Sequence, residues 1–321
     1  MRTKITDIAT YLPEKVVTND DLSKTLDTSH EWIYTRTGIE SRHISAEDEL
    51  TSTLAIEATN KLISQSKLDP MSIDAIIVAT TTGDTRFPSC ACKVQGAIGA
   101  YKAFAFDVNA ACAGFIYALA IADSIMKSMK LKRILLISSE TITKFVDWSD
   151  RSTCVLFGDG AGAMLLDTTE DKDTDTGIIA TKLYSNGEEE KYNSILAHNG
   201  EQNGNRGYIT MAGRTVFKYA IDYMAMSMNE ILEETNMTIE DIDWIMPHQA
   251  NRRILESMCK MRDFPLEKVI ITTQKHANTS SASIPLALRD ALDKGTVKQG
   301  DTLLFTALGA GLTWGSAIVR I

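Results

Sequence analysis

Continuous apolar runs and amphipathic stretches alternate along the chain. The runs at 74–80, 103–108 and 133–139 are apolar at nearly every position, the pattern of strands covered on both faces. Between them, 51–65 repeats apolar residues at helical spacing, and 89–98 reads as a further helix. The segment from Gly114 to about Met129 has no Pro, no further Gly, and apolar residues on nearly every face, so it predicts a helix buried all round. Near the start, 3–17 reads as an edge strand and turn broken by Pro13, followed by a capped helix over 19–26. Residues 217–234 form a long helical pattern whose methionines suit core packing better than a cofactor site. Two polar stretches interrupt the pattern. Residues 167–176 read as a linker, and 185–207, rich in Asn, Gly and Glu, as a long exposed loop and candidate lid.

The second half of the chain repeats the first. Asp243-Trp244-Ile245-Met246 parallels Asp74-Ala75-Ile76-Ile77, 169 positions earlier (74 to 243), and the strands beginning at Arg133 and Asp301 keep that offset within a residue. The small-residue turn and buried helix after Cys112 have a counterpart in the segment from Asn278 to Leu288. The glycine-rich turn at 158–166 has one in 309–319. The expectation is an α/β protein of two similar halves, 1–167 and 168–321, packed as one body. A pseudo-two-fold axis would bring the tips of the equivalent central helices together, so that Cys112 and Asn278 converge from opposite halves.

Composition narrows the class. The chain has 321 residues, 44% hydrophobic and 23% charged, in the range of a globular protein. A net charge of −9 opposes nucleic-acid binding, so an acidic partner needs a local basic patch. No signal peptide is visible and no apolar run reads as a bilayer span, Asp123 and Lys127 interrupting the longest. Five cysteines without framework spacing suit reduced thiols and a cytoplasmic location. Cys90 and Cys92 lack the partners of a metal site and read as core or interface.

The chemistry gathers at strand ends. Cys112, among Ala110, Ala111, Ala113 and Gly114, sits where a strand feeds a buried helix. Unpaired helix N–H groups there would favour a thiolate and lower the thiol pKa below about 8.5. The small neighbours leave room for a substrate. A cysteine alone is more often buried structure. His248 follows the strand-like 243–246, and Asn278 opens the repeated turn. Each alone reads equally as a structural histidine or a helix cap. The three at equivalent ends of a duplicated frame are far more specific. Trp32 and Arg36, one helical turn apart, can stack on an adenine ring and meet phosphates, or cover a core edge. The turn Phe157-Gly158-Asp159-Gly160 lacks the Lys-Ser/Thr of a phosphate loop and leads into a strand, not a helix.

Five ordered motifs, Ala111-Cys112-Ala113-Gly114-Phe115, the glycine-rich 157–162, Pro247-His248-Gln249-Ala250-Asn251, His276-Ala277-Asn278-Thr279-Ser280 and Thr313-Trp314-Gly315-Ser316, resemble those of the beta-ketoacyl-acyl-carrier-protein synthase III family of the thiolase superfamily. The resemblance covers essentially the whole chain. It implies a thiolase-like α-β-α-β-α sandwich and a cytosolic homodimer without metal or redox cofactor, coenzyme A thioester and phosphopantetheine entering as substrates. The implied reaction takes an acyl-CoA primer onto Cys112 and condenses it, with loss of CO2, with malonyl-acyl-carrier-protein. His248 and Asn278 would serve decarboxylation, and the backbone N–H groups of Cys112 and Ala310 an oxyanion hole. Trp32, Arg36 and Arg151 match CoA-binding positions, and Phe87 a residue that crosses a dimer interface to floor the partner's acyl pocket. Arg214, Arg252 and Arg253 are candidates for docking the acidic carrier. Arg252 and Arg253 lie in a run (252–262) with four basic residues and one acid, which reads equally as a solvated basic helix face.

Three positions depart from the family pattern: Ala310, Ala277 and Ser152 stand where glycine is usual, and alanine resists positive φ. The readings set against condensation are a related acyltransferase of specialised metabolism on the same scaffold, a Cys-His-Asn hydrolase, and a non-enzymatic scaffold. Duplicated halves argue against the hydrolase, and small residues around Cys112 argue against the scaffold.

Overall fold

The computed structural model describes residues 2–169, 176–198 and 207–321. Two sheets carry the molecule. The first has five strands in the order Arg2–Tyr11, Gly160–Thr169, Arg133–Glu140, Ala75–Ala79, Phe104–Val108. The second has four, in the order Trp244–Pro247, Thr302–Gly309, Thr313–Arg320, Gly177–Ser185. Taken from the matching ends, Ala75–Ala79 answers to Trp244–Pro247, Arg133–Glu140 to Thr302–Gly309, Gly160–Thr169 to Thr313–Arg320, and Arg2–Tyr11 to Gly177–Ser185. Each half joins its first two of these in parallel and the rest antiparallel.

The layers follow from where apolar surface can be covered. Helices Gly114–Met129 and Ser283–Asp293 lie between the sheets, in one core with Ile77, Leu136, Leu303, Phe305 and Val319. Phe115 meets Phe305 edge to face, ring centroids 5.7 Å apart. Helices Thr51–Ser66 and Cys90–Ile98 cover the outer face of the first sheet. Gly213–Thr235 and Arg252–Arg262 cover that of the second, with Met224, Met228 and Met258 buried there. The result is the α-β-α-β-α sandwich that the family resemblance implies, built from the two similar halves that the repeat predicts. Gly162 shows how tightly the layers close: a Cβ there would lie 2.4 Å from Cβ of Pro285.

Several boundaries move. The helix expected over 19–26 stops at Ser23, its N-terminus held by a Thr18–Asp21 capping box. Residues 167–169, read as linker, are the end of a strand paired with Arg2–Lys4; 170–175 lie outside the described residues. The segment 185–198 is not a bare loop. It carries the turn Glu189–Tyr192 and the strand Ile195–Leu196, which pairs with Thr210–Met211; 199–206 lie outside the described residues. By length and composition alone the stretch Ala111–Met129 could cross a membrane. Here it is a core helix, its Asp123 bonded to Lys127 at 2.7 Å near its end.

Candidate active site

A cavity of about 1010 Å³ runs from the surface to the meeting point of the two central helices. Cys112, His248 and Asn278 all line it, with Trp32, Arg36 and Arg151 along the same cavity. Cys112, His248 and Asn278 lie far apart in the sequence, and the packing of the two halves brings them together.

Cys112 occupies a short 3-10 turn, Ala111–Ala113, just ahead of the helix rather than on its first turn. Ala111 holds φ 47°, a conformation uncommon outside glycine, and this aims the following residue into the cavity. The expected low thiol pKa is overturned: burial pushes the Cys112 thiol up to about 11, helped by the nearby Glu140 charge and opposed by a hydrogen bond from Ser280.

His248 follows the strand Trp244–Pro247 and is buried. Its Nδ1 lies 2.7 Å from Oγ of Ser283, on the opposing helix, and that Oγ also accepts the Gln249 N–H at 3.2 Å. In the tautomer in which the Ser283 hydroxyl donates to Nδ1, the ring proton sits on Nε2 and faces away from Ser283. Burial holds the His248 pKa down to about 4, so the ring is neutral at pH 7. Asn278 is fixed by its own Oδ1, which accepts the Ser280 N–H at 2.9 Å. Its Nδ2 donors have no protein acceptor among the described residues and are available to the cavity. A neutral imidazole N–H and an amide NH2 thus face the same space as the thiol.

The C-terminal hairpin closes the site. Gly309 passes so near the Cys112 turn that a Cβ would lie 2.7 Å from Cys112 N and 2.8 Å from Ala110 O. Ala310, next in the chain, lines the cavity. Its φ is not positive, so alanine fits there without strain, while Gly311, at φ 134°, takes the conformation that needs glycine. Among the described residues, neither the Cys112 nor the Ala310 N–H has a main-chain acceptor beyond the helices and strands. Ala277 is different: at φ 55° and ψ −156° it occupies a region essentially reserved for glycine.

At the cavity mouth the Arg36 guanidinium lies 4.4 Å from the Trp32 ring centre and that of Arg151 lies 5.1 Å away. Arg151 also bonds the backbone and side chain of Asp27. Ser152 sits on the cavity wall beside it, its hydroxyl turned to Asp150 at 2.7 Å. Arg214 and Arg253 join Arg36, Asn251 and Phe217 around a second hollow of about 370 Å³. Arg252 is not part of it; it packs on Gly38 and pairs with Glu256 at 2.8 Å. Phe87 is outside the cavity and 85% exposed.

Residue-by-residue reading missed three groups. Ser283, the partner of His248 Nδ1, looks like any helix-start serine. Apolar side chains of Ile142, Phe145, Ile209, Val216 and Met224 form much of the cavity wall and belong to segments that read as core or loop. Glu140 ends the strand Arg133–Glu140, after the apolar run 134–137 and two serines, and is fully buried. A carboxylate closing such a run was the one available signal.

Comparison with known proteins agrees in every region. Residues 106–187 match the family model described as 3-Oxoacyl-[acyl-carrier-protein (ACP)] synthase III, and 232–321 the model for its C-terminal part. The chain is 50% identical over 319 residues to a Beta-ketoacyl-[acyl-carrier-protein] synthase III of Wolbachia pipientis wMel, with 98% of each chain covered. It is 48% identical over 323 residues to one of Ehrlichia canis (strain Jake), covering 100% of this chain and 99% of that one. The crystal structure of 3-oxoacyl-[acyl-carrier-protein] synthase III from Aquifex aeolicus VF5 superposes with a TM-score of 0.93 at 46% identity, covering 99% of this chain and 100% of that one. On the sequence, the fold and these matches together, the chain belongs to the beta-ketoacyl-[acyl-carrier-protein] synthase III family, a family of acyltransferases that carry out a condensation.

Proposed function

We propose that the cavity carries out a decarboxylative condensation in two half-reactions, initiating fatty acid synthesis. In the first, the Cys112 sulfur attacks the carbonyl carbon of an acyl-CoA, the C–S bond to CoA breaks, and the acyl group stays on Cys112. The N–H groups of Cys112 and Ala310 receive the oxyanion. In the second, malonyl-acyl-carrier-protein loses CO2. Its enolate carbon attacks the acyl-Cys112 carbonyl, and 3-oxoacyl-carrier protein leaves.

The observation that carries this reading is the convergence of His248 and Asn278 on the cavity that Cys112 lines. Decarboxylation builds negative charge on the malonyl thioester oxygen. A neutral Nε2–H and the Asn278 amide can both donate to that oxygen, and a carboxylate in either place would repel it. Preorganised donors of this kind are worth about 100- to 1,000-fold each in rate. No metal or redox cofactor enters the proposed steps. The substrates bring CoA and phosphopantetheine with them.

The surroundings suit the same reading. Trp32, Arg36 and Arg151 form an aromatic and cationic mouth for the adenine and phosphates of CoA. Arg214 and Arg253, beside that mouth, suit an acidic carrier protein; Arg252, already paired, contributes less. A homodimer is supported by the outer edge of the first sheet. Strand Phe104–Val108 pairs on one side only, and Tyr101 and Phe87 stand exposed. Phe87 would then reach the partner's acyl pocket. All five cysteines are free thiols, the state that a reducing cytoplasm maintains.

The test is intact-protein mass spectrometry after incubation with a panel of acyl-CoAs, each followed by malonyl-acyl-carrier-protein. An adduct on Cys112 that is discharged as CO2 and 3-oxoacyl product form supports condensation and names the primer. An adduct that persists, or leaves without CO2, moves the activity to acyl transfer alone.

A further inference from the structure

The two N–H groups proposed to receive the oxyanion belong to different halves, so their spacing depends on how the C-terminal hairpin sits against the Cys112 turn. Ala110 O accepts the Ala113 N–H at 3.1 Å and closes the 3-10 turn that carries Cys112. Opposite it, strands Thr302–Gly309 and Thr313–Arg320 are joined through Ala310, Gly311 and Leu312, with Gly309 paired to Thr313. Among the described residues no main-chain hydrogen bond joins 309–312 to 109–113. The link is made by a side chain. Thr313 Oγ1 donates to Ala110 O at 2.8 Å and lies 3.1 Å from Ala310 O. Ala110 O is one peptide away from the Cys112 N–H, and Ala310 O one peptide away from the Ala310 N–H. A hydroxyl has a single proton, so the two carbonyls share it; without it their oxygens would face each other and repel. The outer side of the hairpin is held independently. Leu312 and Asn186 exchange both main-chain hydrogen bonds at 2.8 Å. Trp314 stacks with Tyr184 and Tyr223, ring centroids 5.5 and 4.4 Å away.

We infer that Thr313 is a positioning residue whose hydroxyl, by bridging Ala110 O and Ala310 O, sets the spacing of the Cys112 and Ala310 N–H groups around the oxyanion formed at Cys112. Thr313 is not among the residues that line the cavity, so it acts through the two carbonyls and not on substrate. Both donors must reach one oxygen at about 2.7–3.1 Å together, which leaves little tolerance in the seat of the hairpin. A misplacement of about 1 Å in such a constellation can cost about 100-fold in rate. The side chain divides its work. Its methyl packs at the hairpin tip, 3.1 Å from where a Cβ on Gly311 would stand, while its hydroxyl makes the bridge. Valine therefore removes the bridge and keeps the packing, and serine does the reverse. The outer anchors at Asn186 and Trp314 keep the hairpin folded in either case. The same pair of donors serves acylation and the later attack on the acyl-Cys112 carbonyl. Decarboxylation draws on His248 and Asn278 and does not depend on it.

This role rests on the acyl-transfer step of the function proposed above, and not on the loss of CO2. Two rates test it in native protein, Thr313→Val and Thr313→Ser. The first is acylation of Cys112 by an acyl-CoA, followed by intact mass. The second is alkylation of Cys112 by iodoacetamide, followed by peptide mass, which displaces iodide at a tetrahedral carbon and forms no oxyanion. Thr313→Val should acylate about 10- to 100-fold more slowly at saturating acyl-CoA, with KM and the alkylation rate within about twofold of native. Thr313→Ser should recover most of that loss. Native-rate acylation in Thr313→Val would overturn the inference. So would an equal fall in acylation and alkylation, which would mean that the Cys112 turn itself has moved, or a Thr313→Ser variant as slow as Thr313→Val, which would assign the effect to the methyl. Should Thr313→Val fail to fold, Thr313→Ala takes its place against Thr313→Ser. A native protein that accepts no acyl group from any thioester overturns this role together with the proposed function. Native acylation without CO2 release removes the condensation reading alone.

Discussion

The two halves of the molecule share a frame and divide a reaction. In the first, a 3-10 turn of three residues, Ala111–Ala113, leads into the central helix; in the second, Ser280–Ala282 leads into Ser283–Asp293. Each turn opens on a residue at positive φ, Ala111 at 47° and Ser280 at 50°. Each is preceded by an asparagine whose Oδ1 accepts the N–H two residues on, Asn109 at 3.4 Å and Asn278 at 2.9 Å. At the offset of the repeat, Cys112 answers to Ser281, Ala79 to His248 and Glu140 to Gly309. The same backbone therefore presents a nucleophile from one side and hydrogen-bond donors from the other. Chemistry is assigned by side chains placed on equivalent ends, and a glycine is kept where a side chain would block the neighbour.

The halves differ most at their edges. The first sheet has a fifth strand, Phe104–Val108, where the second has a single bridge between Ile245 and Val269. An open edge with exposed aromatic residues is thus confined to the half that carries Cys112, which is the surface proposed for dimerisation.

Disabling one half at a time breaks the comparison most sharply. Cys112→Ala should abolish transfer of labelled acyl groups. His248→Ala and Asn278→Ala should leave Cys112 acylation intact and lower CO2 release from malonyl-acyl-carrier-protein about 100- to 1,000-fold each. Next in size is Gly309→Ala. Its Cβ would fall on Cys112 N, so both half-reactions should drop together, with the thermal midpoint lowered.

Acid should act through buried histidines. The pKa values of His248 and His276 are both lowered by burial to about 4, from 6.5. The unfolded chain then binds more protons between those values, so stability is complete above pH 6.5 and falls as pH drops toward 4. The loss is on the order of 3 kcal/mol per histidine, and urea midpoints across that range measure it. Smallest is Ala277→Gly, which should raise stability by about 1 kcal/mol in thermal melts by relieving φ 55°, ψ −156°. No gain there would mean that the turn carries no strain.

The fold was highly legible because duplication repeats apolar runs at a fixed offset, and each buried strand or helix leaves a periodic trace. Cys112, His248 and Asn278 were legible for the same reason: they sit at equivalent ends of repeated elements. What stayed hidden depends on contacts between residues remote from one another in sequence. The thiol pKa was read from a helix end, yet burial and Glu140, which is remote in sequence, set its direction. Ser283 is 35 positions from His248 and nothing local marks it as that ring's partner. The wall segment 185–198 looked like loop because its few apolar residues, Ile195 and Leu196, face the cavity rather than a core of their own.

The division of labour between the halves is tested most directly by intact-mass kinetics on His248→Ala with an acyl-CoA accepted by the native enzyme. The account predicts that the Cys112 adduct forms at the native rate and then persists when malonyl-acyl-carrier-protein is added. Failure of the adduct to form would contradict it, because His248 would then be needed for acylation as well as for decarboxylation.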